Sequence, residues 1–269
     1  MKQKTKKLGK RRQIKLVNWL GMYTLYIKEV KRFTNVFLQT ITAPMVTTLL
    51  FVTVFSVAID RGAGIEGIPY MTFLIPGLLM MSVLQNAFAN VSSAYMTAKV
   101  TGSIVDLLFA PLGAIEIFIA HNLAGITRGV FVFLSSFLLL FIIGITTMPA
   151  NIIWVFIFLI LGGFALSSIG MIAGIWAEKF DQLSVISNFV VQPLAFLSGT
   201  FYSIDRLPEY LKPIAYSNPF FYIIDGFRYG FLGVSDVSPY NSLIILLICN
   251  ICLGYCSWYI LKVGYKLKS

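Results

Sequence analysis

Charged residues are scarce in this chain of 269 residues, and side chains that commonly perform catalysis are scarcer still. Only 12% of the residues are charged, one is histidine and three are cysteine, whereas 58% are hydrophobic. A typical soluble domain has about 25% charged residues and fewer apolar ones. The composition therefore excludes an ordinary soluble domain and predicts an integral membrane protein.

Three kinds of enzymatic motif are missing from the sequence. There is no Gly-x-x-x-x-Gly-Lys-Ser/Thr loop, so we expect the chain neither to bind nor to hydrolyse ATP itself. A single histidine and the lack of any His/Cys/Asp/Glu cluster predict no metal site. No Asp-x-x-Asp pair is present to bind a magnesium diphosphate substrate. We therefore predict no catalytic, cofactor-binding or metal-binding residues in this chain.

Two motif matches are interpreted as coincidences. Residues 62–67 satisfy Gly-x-Gly-x-x-Gly, but they join two apolar runs rather than a strand and a helix, so a dinucleotide site is not predicted. Cys249, Cys252 and Cys256 share one helix face in the last apolar run. No fourth ligand lies nearby, and apolar packing is favoured over metal binding.

Six apolar runs are long enough to cross a bilayer. Their approximate bounds are 34–60, 70–97, 115–145, 151–176, 182–200 and 240–262. The third run is too long to lie wholly in hydrocarbon, so we expect its start to project into the cytoplasm. The sequence predicts an all-α, polytopic membrane protein with six transmembrane helices.

Positive charge is concentrated at the N-terminus. Residues 2–15 contain eight Lys or Arg and no acidic residue, in a chain of net charge +10. Across the connections between spans, one side of the membrane receives 16 Lys or Arg and the other receives four. The positive-inside rule then predicts two cytoplasmic termini and an extracytoplasmic segment over 201–239. A basic tail beside a membrane is best interpreted as a contact with anionic lipid, so nucleic-acid binding is not predicted.

An amphipathic helix is predicted over 14–33, lying in the cytoplasmic interface. Apolar side chains recur at spacings of three and four residues, and a basic cluster lies on the other side of the helix. The apolar set is Trp19, Leu20, Tyr23, Ile27 and Val30, and the basic set is Lys28, Lys31 and Arg32. The chain thus divides into a basic tail with this helix, 1–33, and a transmembrane domain, 34–269.

The segment before the last apolar run, 201–239, differs from its neighbours. Pro208 and Pro213 bracket four residues, so only a turn or two of helix fits between them. Asn218, followed by proline, is typical of a helix N-cap, and Gly233 is the expected stop of that helix. Two short helices of this kind predict a re-entrant or interfacial hairpin.

Several uncommon elements occur in a fixed order in this region: Phe196-Leu-Ser-Gly199, Leu207-Pro208, Asn218-Pro219 and Tyr222-x-x-Asp225-x-x-Arg228. This order resembles the end of a type-2 ABC-transporter permease, the membrane subunit of an ATP-driven exporter. Residues 28–33 are also similar to the segment that precedes the first span in that family. The resemblance implies two permease copies, with a homodimer expected, and two separate ATPase subunits that bind ATP and magnesium. It also implies residence in the cytoplasmic (inner) membrane.

Residues 98–114 form the one substantial predicted cytoplasmic loop. Ser103 can cap a short helix that runs through Phe109 and is closed by Pro111. In the resembled family this position holds the coupling helix, which docks into a groove on the ATPase. The resemblance therefore implies a coupling role for Ser103, Asp106, Leu107 and Leu108. The alternative is a simple interfacial connector.

Five ionisable residues in apolar surroundings are candidates for a gate or a substrate path. Glu116, His121 and Arg128 lie in the third run, where His121 and Arg128 share a helix face. A structural, inter-helix role is the alternative for these three. Asp225 and Arg228, spaced i and i+3, are expected to form a local ion pair and are candidates for closing an outer gate.

Two further patterns concern packing and the membrane interface. Ten aromatic residues within 201–231 favour an interfacial aromatic belt over a stacking surface for an emerging glycan or lipid. Small residues at 163, 167, 170 and 174 predict a helix-packing face, in which the partner helix belongs either to this chain or to a second copy.

Taken with the resemblance, these patterns predict the permease subunit of an ABC exporter for an amphiphilic or hydrophobic substrate: a drug, a lipid, or a lipid-linked glycan or polysaccharide. The scarcity of charge in the spans favours such a passenger over an ion-coupled mechanism. The alternative from another class is a secondary transporter or channel that works alone, and a membrane-embedded transferase is less favoured.

Overall fold

The computed structural model describes residues 17–58, 64–65 and 68–267, and almost all of the secondary structure in these ranges is helical. The predicted helical fold is therefore confirmed, whereas the basic tail, residues 1–16, lies outside the described residues. The helices are α1 (Trp19–Thr34), α2 (Ala43–Ala58), α3 (Tyr70–Val100), α4 (Ile104–Phe109), α5 (Ala114–Ile142), α6 (Ile152–Trp176), α7 (Phe180–Ile186), α8 (Gln192–Phe196), α9 (Lys212–Tyr216), α10 (Pro219–Leu232) and α11 (Pro239–Val263).

Short irregular elements connect the helices. Two turns are π-helical, Leu38–Thr42 before α2 and Ser187–Val191 between α7 and α8, and Ile204–Arg206 is a 3₁₀ turn. Two strands of two residues, β1 (Gly64–Ile65) and β2 (Ile68–Pro69), pair antiparallel in the loop before α3.

Five helical segments in the described ranges are long and apolar enough to cross a membrane: Leu38–Val57, Tyr70–Val100, Ala114–Ile142, Ile152–Trp176 and Pro239–Val263. They match five of the six predicted spans. The segment predicted at 182–200 is instead built from α7, a π-helical turn and α8, of seven, five and five residues. Gly199, with a left-handed φ of 72°, lies in the turn that follows α8. A sixth span therefore stays a prediction.

The core of the bundle is the pair α3 and α6, whose backbones touch. A methyl group added at Gly170 of α6 would lie 2.6 Å from the carbonyl oxygen of Phe88, and one at Gly174 would lie 2.7 Å from that of Ser92. Only glycine permits such an approach. The small-residue face of α6 therefore packs within this chain, with Gly170 and Gly174 against α3 and with Gly163 nearest to Ile126 of α5.

The connections between helices fall into two groups at opposite ends of the bundle. At one end Asn18 donates to the carbonyl oxygen of Pro111 at 2.9 Å, and Lys99 donates to that of Ala177 at 3.0 Å. Lys266 pairs with Glu178 there at 2.7 Å. We call this end, which includes α4 and the C-terminal end of α11, the α4 end.

At the opposite end, which we call the α10 end, the loop between α5 and α6 contacts the C-terminal part of α10. The amide nitrogen of Asn151 donates to the carbonyl oxygen of Gly230 at 2.8 Å, and the Tyr70 hydroxyl donates to that of Phe201 at 2.9 Å. This is the grouping of connections that the charge count predicts. The assignment of the α4 end to the cytoplasm stays a prediction.

Helix α1 packs along α5 with one buried stripe, in which Leu25, Glu29 and Phe33 follow each other at intervals of four residues. Trp19 and Tyr23 are exposed, as the prediction of an apolar face toward lipid requires. The helix begins at Trp19, where the side chain of Asn18 accepts from the Gly21 amide nitrogen at 3.0 Å. Residues 14–16 of the predicted helix lie outside the described residues.

The prediction of two short helices before α11 is confirmed, with one correction. Pro213 lies in the first turn of α9 rather than closing a helix before it, since proline is well tolerated where an N–H has no intrahelical partner. The Asn218 side chain accepts from the Phe220 amide nitrogen at 3.0 Å, as expected of an N-cap. Gly233, with φ at 76°, ends α10 as predicted.

The predicted aromatic belt is wrong for half of its members, because α10 is buried among α3, α6 and α11. Five of the ten aromatic side chains lie inside the protein: Phe220, Phe221, Tyr222, Phe227 and Phe231. Helix α10 approaches α6 closely, since any side chain at Gly226 would overlap the ring of Phe158. Tyr210 and Tyr216, in the segment before α10, are exposed.

Candidate functional site

Helix α4 is a single short turn of helix set off from α3 by Gly102, whose φ of 76° is left-handed. Ser103 occupies the N-cap position, as predicted, but its side chain makes no capping hydrogen bond. Instead its hydroxyl pairs with that of Thr101 at 2.9 Å, because the Ser103 backbone is already helical, whereas a capping residue is normally extended. The helix ends at Ala110, which is extended before Pro111.

Three of the four predicted coupling residues take different positions on α4. Asp106 and Leu108 point away from the bundle and are exposed. Leu107 is half-buried and packs against the apolar cluster that contains Ile104, so it anchors the helix rather than facing outward. The sequence pattern missed Phe109, whose side chain is 86% exposed. An aromatic residue beside a helix-ending proline is the signal that could have found it.

A mainly apolar groove of about 720 Å³ separates α4 from the start of α1. Asp106, Leu107 and Pro111 line one side, and Trp19 and Leu20 line the other. This groove and the exposed apolar side chains of α4 form a surface of the kind that takes a partner protein.

Glu116 holds together elements that border this groove, and its role in a gate or substrate path stays a prediction. Its side chain is buried, and one carboxylate oxygen accepts from the Asn18 amide nitrogen at 3.0 Å. The side chain of Asn18 donates in turn to the carbonyl oxygen of Pro111. Glu116 and Asn18 thus hold the beginnings of α1 and α5 and the end of the α4 loop together.

His121 is buried against α3, where its ring centroid lies 4.7 Å from that of Tyr95. Its Nδ1 donates to the carbonyl oxygen of Ile117 one turn earlier, at 2.9 Å. Glu29, Tyr95 and His121 border a small cavity of about 150 Å³ beneath α4. His121 and Arg128 share a face of α5, as predicted, but they border different cavities.

A polar network joins α1 to α3 and was not found from the sequence. The Arg32 guanidinium pairs with Glu29 through Nε at 2.8 Å. It also donates to the hydroxyl of Ser93 at 3.1 Å and to the side-chain oxygen of Asn90 at 3.1 Å. An asparagine within a predicted span, such as Asn90, is the signal that could have indicated such a network.

Arg128 lies in the middle of α5 and borders the larger polar cavity, of about 470 Å³. Its Nη2 donates to the side-chain oxygen of Asn86 on α3 at 2.9 Å. Its buried Nε has no hydrogen-bond partner in the described part of the chain. Among the described residues Arg128 therefore has one neutral side-chain partner and borders a polar space, and its role in a gate or substrate path stays a prediction.

The predicted ion pair between Asp225 and Arg228 is wrong as a direct contact, because other partners hold both side chains. Asp225 accepts from the amide nitrogens of Asp236 at 2.7 Å and Val237 at 3.2 Å, which ties the loop before α11 to α10. Arg228 donates to the carbonyl oxygen of Gly199 at 2.6 Å. Both residues therefore fix the structure at the α10 end.

Among the described residues, no group of three His, Cys, Asp or Glu side chains is arranged to hold a metal ion. The three cysteines, which all lie on α11, are unpaired, and two of them, Cys252 and Cys256, are exposed.

Comparison with known proteins gives the family of the chain. Residues 21–232 match the family model described as "ABC-2 type transporter". The chain belongs to this family. It is a type-2 ABC permease, which agrees with the arrangement of apolar helices, whereas the re-entrant hairpin before α11 stays a prediction.

Among three relatives of this ABC-2 permease, two have names that refer to transport or export, and the third is named as a nodulation protein. The permease is 34% identical over 255 residues to the inner membrane transport permease YadH of Escherichia coli (strain K12), covering 93% of this chain and 98% of that one. It is 23% identical over 220 residues to the capsule polysaccharide export inner-membrane protein CtrC of Neisseria meningitidis. The match covers 81% of this chain and 79% of CtrC. Nodulation protein J of Rhizobium leguminosarum is 24% identical over 170 residues, covering 63% and 65%.

Proposed function

We propose that this chain is the permease subunit of an ATP-driven exporter, and that α4 receives force from a separate ATPase subunit. The observation that carries the proposal is the outward face of α4, where Phe109 and Leu108 are exposed at the end of a bundle whose sequence belongs to the ABC-2 family. Exposed apolar side chains beside a groove are typical of a protein–protein contact. A connector without a partner would leave them in water.

The arrangement around α4 supports transmission of force into the bundle. Leu107 and Ile104 hold α4 against the apolar cluster, and Asn18 links the α4 loop to the start of α1. A push on α4 would therefore act on α1, α3 and α5 together. We propose that ATP and magnesium are bound by the partner ATPase, and that two copies of the permease form a homodimer.

We propose the inner membrane as the location, with both termini in the cytoplasm. Two relatives are named as inner-membrane proteins, and the basic connections of this chain favour a cytoplasmic α4 end. An amphiphilic substrate, whether a drug, a lipid or a lipid-linked glycan, fits a bundle with few intramembrane charges. The name of CtrC, capsule polysaccharide export, supports a glycan as one of these candidates.

Purification of the chain from its native membrane with its neighbours tests the proposal. We expect a P-loop ATPase in stoichiometric amount. Phe109→Ala and Asp106→Asn should weaken that association, Phe109→Ala by about 2 kcal/mol if it is the central apolar contact. Tyr210→Ala, an exposed aromatic at the α10 end, is the matched control and should change nothing. A lone, transport-active oligomer would contradict the proposal and favour the secondary transporter.

A further inference from the structure

The polar cavity of about 470 Å³ lies between the π-helical turn before α2 and the middle of α3 and α5. Its wall includes the guanidinium groups of Arg32 and Arg128 and the amides of Gln39, Gln85 and Asn86. A space of this volume holds roughly fifteen waters, or the polar group of a larger molecule. A polar space among membrane-spanning helices is a candidate site, because polar groups there are costly unless they have a partner.

Arg128 brings a positive charge to this cavity without a compensating acid. No carboxylate within 4.0 Å pairs with it in the described part of the chain. Among the described residues its one side-chain partner, Asn86, is a neutral amide, and its Nε is buried without a partner. The favourable complement to such a group is an anion in the cavity.

Arg32 adds a second positive group at another part of the wall, but its charge is balanced. Glu29 pairs with it at 2.8 Å, is buried, and is not among the residues that line this cavity. The described residues that line the cavity include no acidic side chain. The lining therefore carries one uncompensated positive charge, centred on Arg128.

The shape of the cavity suits the polar end of a long molecule. Along α3 it extends from Ser82 to Ser93, a rise of about 16 Å. Part of its wall is formed by the π-helical turn and by Pro44 at the start of α2, which lacks the N–H that would bond to the carbonyl of Thr40. Such turns are frequent at functional sites. Gln39, on the same turn, is exposed, so the cavity opens at this side of the bundle.

We propose that this cavity binds the anionic head group, phosphate or carboxylate, of an amphiphile, with Arg128 as the principal contact. The identification of that amphiphile as the exported passenger rests on the proposed function, whereas binding of the head group does not. The planar guanidinium donors match the oxygen atoms of phosphate and carboxylate. The apolar part of the amphiphile stays in lipid at the open side of the cavity.

The test uses the purified full chain in nanodiscs of zwitterionic phosphatidylcholine, with fluorescent phosphatidylglycerol as the probe and fluorescent phosphatidylcholine as its neutral-head-group counterpart. We expect a Kd for phosphatidylglycerol about tenfold lower than that for phosphatidylcholine. Asn86→Asp should raise the Kd for phosphatidylglycerol by about tenfold, since it places a carboxylate of the same shape beside Arg128. Arg128→Gln should do the same, whereas Arg128→Lys keeps the charge but loses the planar set of donors and should raise the Kd by a smaller factor.

Lys212→Gln, which removes a positive charge at the α10 end, is the matched control and should leave both Kd values unchanged. Competition by inorganic phosphate would assign the affinity to the anionic group alone. If phosphate does not compete but the Asn86 and Arg128 variants still bind phosphatidylglycerol more weakly, the affinity would be assigned to the anionic group together with the lipid chains. Equal Kd values for the two lipids, or an unchanged Kd in a folded Asn86→Asp variant, would overturn the proposal.

Failure of this proposal is distinguishable from failure of the proposed function, because the binding assay needs no ATPase. If the chain binds phosphatidylglycerol selectively but no ATPase copurifies, only the proposed exporter function is contradicted. If an ATPase copurifies but the chain does not distinguish the two lipids, only the proposed anion site is contradicted.

Discussion

The guanidinium of Arg228 on α10 lies over the ring of Phe73 on α3, with its Cζ 3.7 Å from the ring centroid. The arginine side chain is 1% exposed, and Gly199 accepts its one hydrogen bond among the described residues. Its Nε and Nη1 have no hydrogen-bond partner there. Contact with the ring therefore stabilises a buried charge that hydrogen bonds satisfy only in part.

Phe73→Leu should destabilise the protein by about 1–2 kcal/mol, because it removes the aromatic face but keeps an apolar side chain. Thermal unfolding in detergent, followed by tryptophan fluorescence, measures the change. Phe37→Leu alters an exposed ring of the same type and should leave the transition within about 1 °C. Equal transitions for the two variants would show that the ring contributes no more than its apolar surface.

Gly170→Ala should destabilise the contact between α6 and α3 by about 1–3 kcal/mol. The added methyl group would lie 2.6 Å from the carbonyl oxygen of Phe88, a backbone atom that cannot turn aside. Gly163→Ala is the matched control, since its nearest neighbour is a side-chain atom of Ile126 at 3.4 Å. The yield of monodisperse protein and its thermal midpoint should fall for the first variant only. A fall of the same size in both would point to helix flexibility rather than close packing.

Asn18→Ala should loosen the α4 loop. The substitution removes the cap of α1, worth about 1 kcal/mol, and the hydrogen bond to the carbonyl oxygen of Pro111. Hydrogen exchange of residues 104–112, followed by mass spectrometry, should become faster. Asn35→Ala, at the other end of α1, removes a side chain that makes no hydrogen bond in the described structure and should leave that exchange unchanged. Unchanged exchange in Asn18→Ala would show that Glu116 holds the loop by itself.

The contact between Glu178 and Lys266 should persist across the neutral pH range. A hydrogen bond from Lys266, together with its charge, holds the pKa of Glu178 below its ordinary value of 4.5. In turn, the hydrogen bond to Glu178 raises the pKa of Lys266 above its ordinary value of 10.5. The stabilising effect is therefore complete at pH values between these two ordinary values. It is lost as the pH falls through the lowered pKa of Glu178, or rises through the raised pKa of Lys266.

Fluorescence of Trp176, whose ring centroid lies 5.6 Å from the Lys266 ammonium, reports on this contact. Comparison with a variant that lacks only Trp176 isolates its signal. We expect a constant emission between about pH 5.5 and 9.5. We expect a change as the pH falls through the lowered pKa of Glu178. Glu178→Gln should remove the acid transition. An acid transition of unchanged size in Glu178→Gln would assign it to another carboxylate.

Local signals in the sequence predicted the elements of the α10 end well, and tertiary partners decided the rest. The cap at Asn218 and the stop at Gly233 depend on neighbouring residues only, and both are confirmed. The pairing of Asp225 with Arg228 was also predicted from local spacing, yet Asp236 and Gly199 hold the two side chains. Partners from distant parts of the chain leave no mark in an i, i+3 pattern.

The aromatic residues of α10 show a second limit of prediction from sequence, because the same aromatic composition fits two different environments. An interfacial belt and a helix buried in a membrane protein both need large aromatic side chains. The difference between them lies in the glycine contacts of α10 with α6, such as Gly226 against Phe158, and not in the aromatic residues. The network of Arg32 with Asn90 was missed for a related reason, since a basic cluster on an amphipathic helix is ordinarily solvated.

The glycine contacts of α6 with α3 have a mechanical consequence. Two helices whose backbones touch at Gly170 and Gly174 have no room to slide past each other there, so we expect α3 and α6 to move together. Helix α3 connects to α4 at one end and carries Phe73, on which Arg228 rests, near its other end. If a partner acts on α4, as proposed above, the resulting tilt of α3 would therefore reach α10, about 40 Å away along the helix.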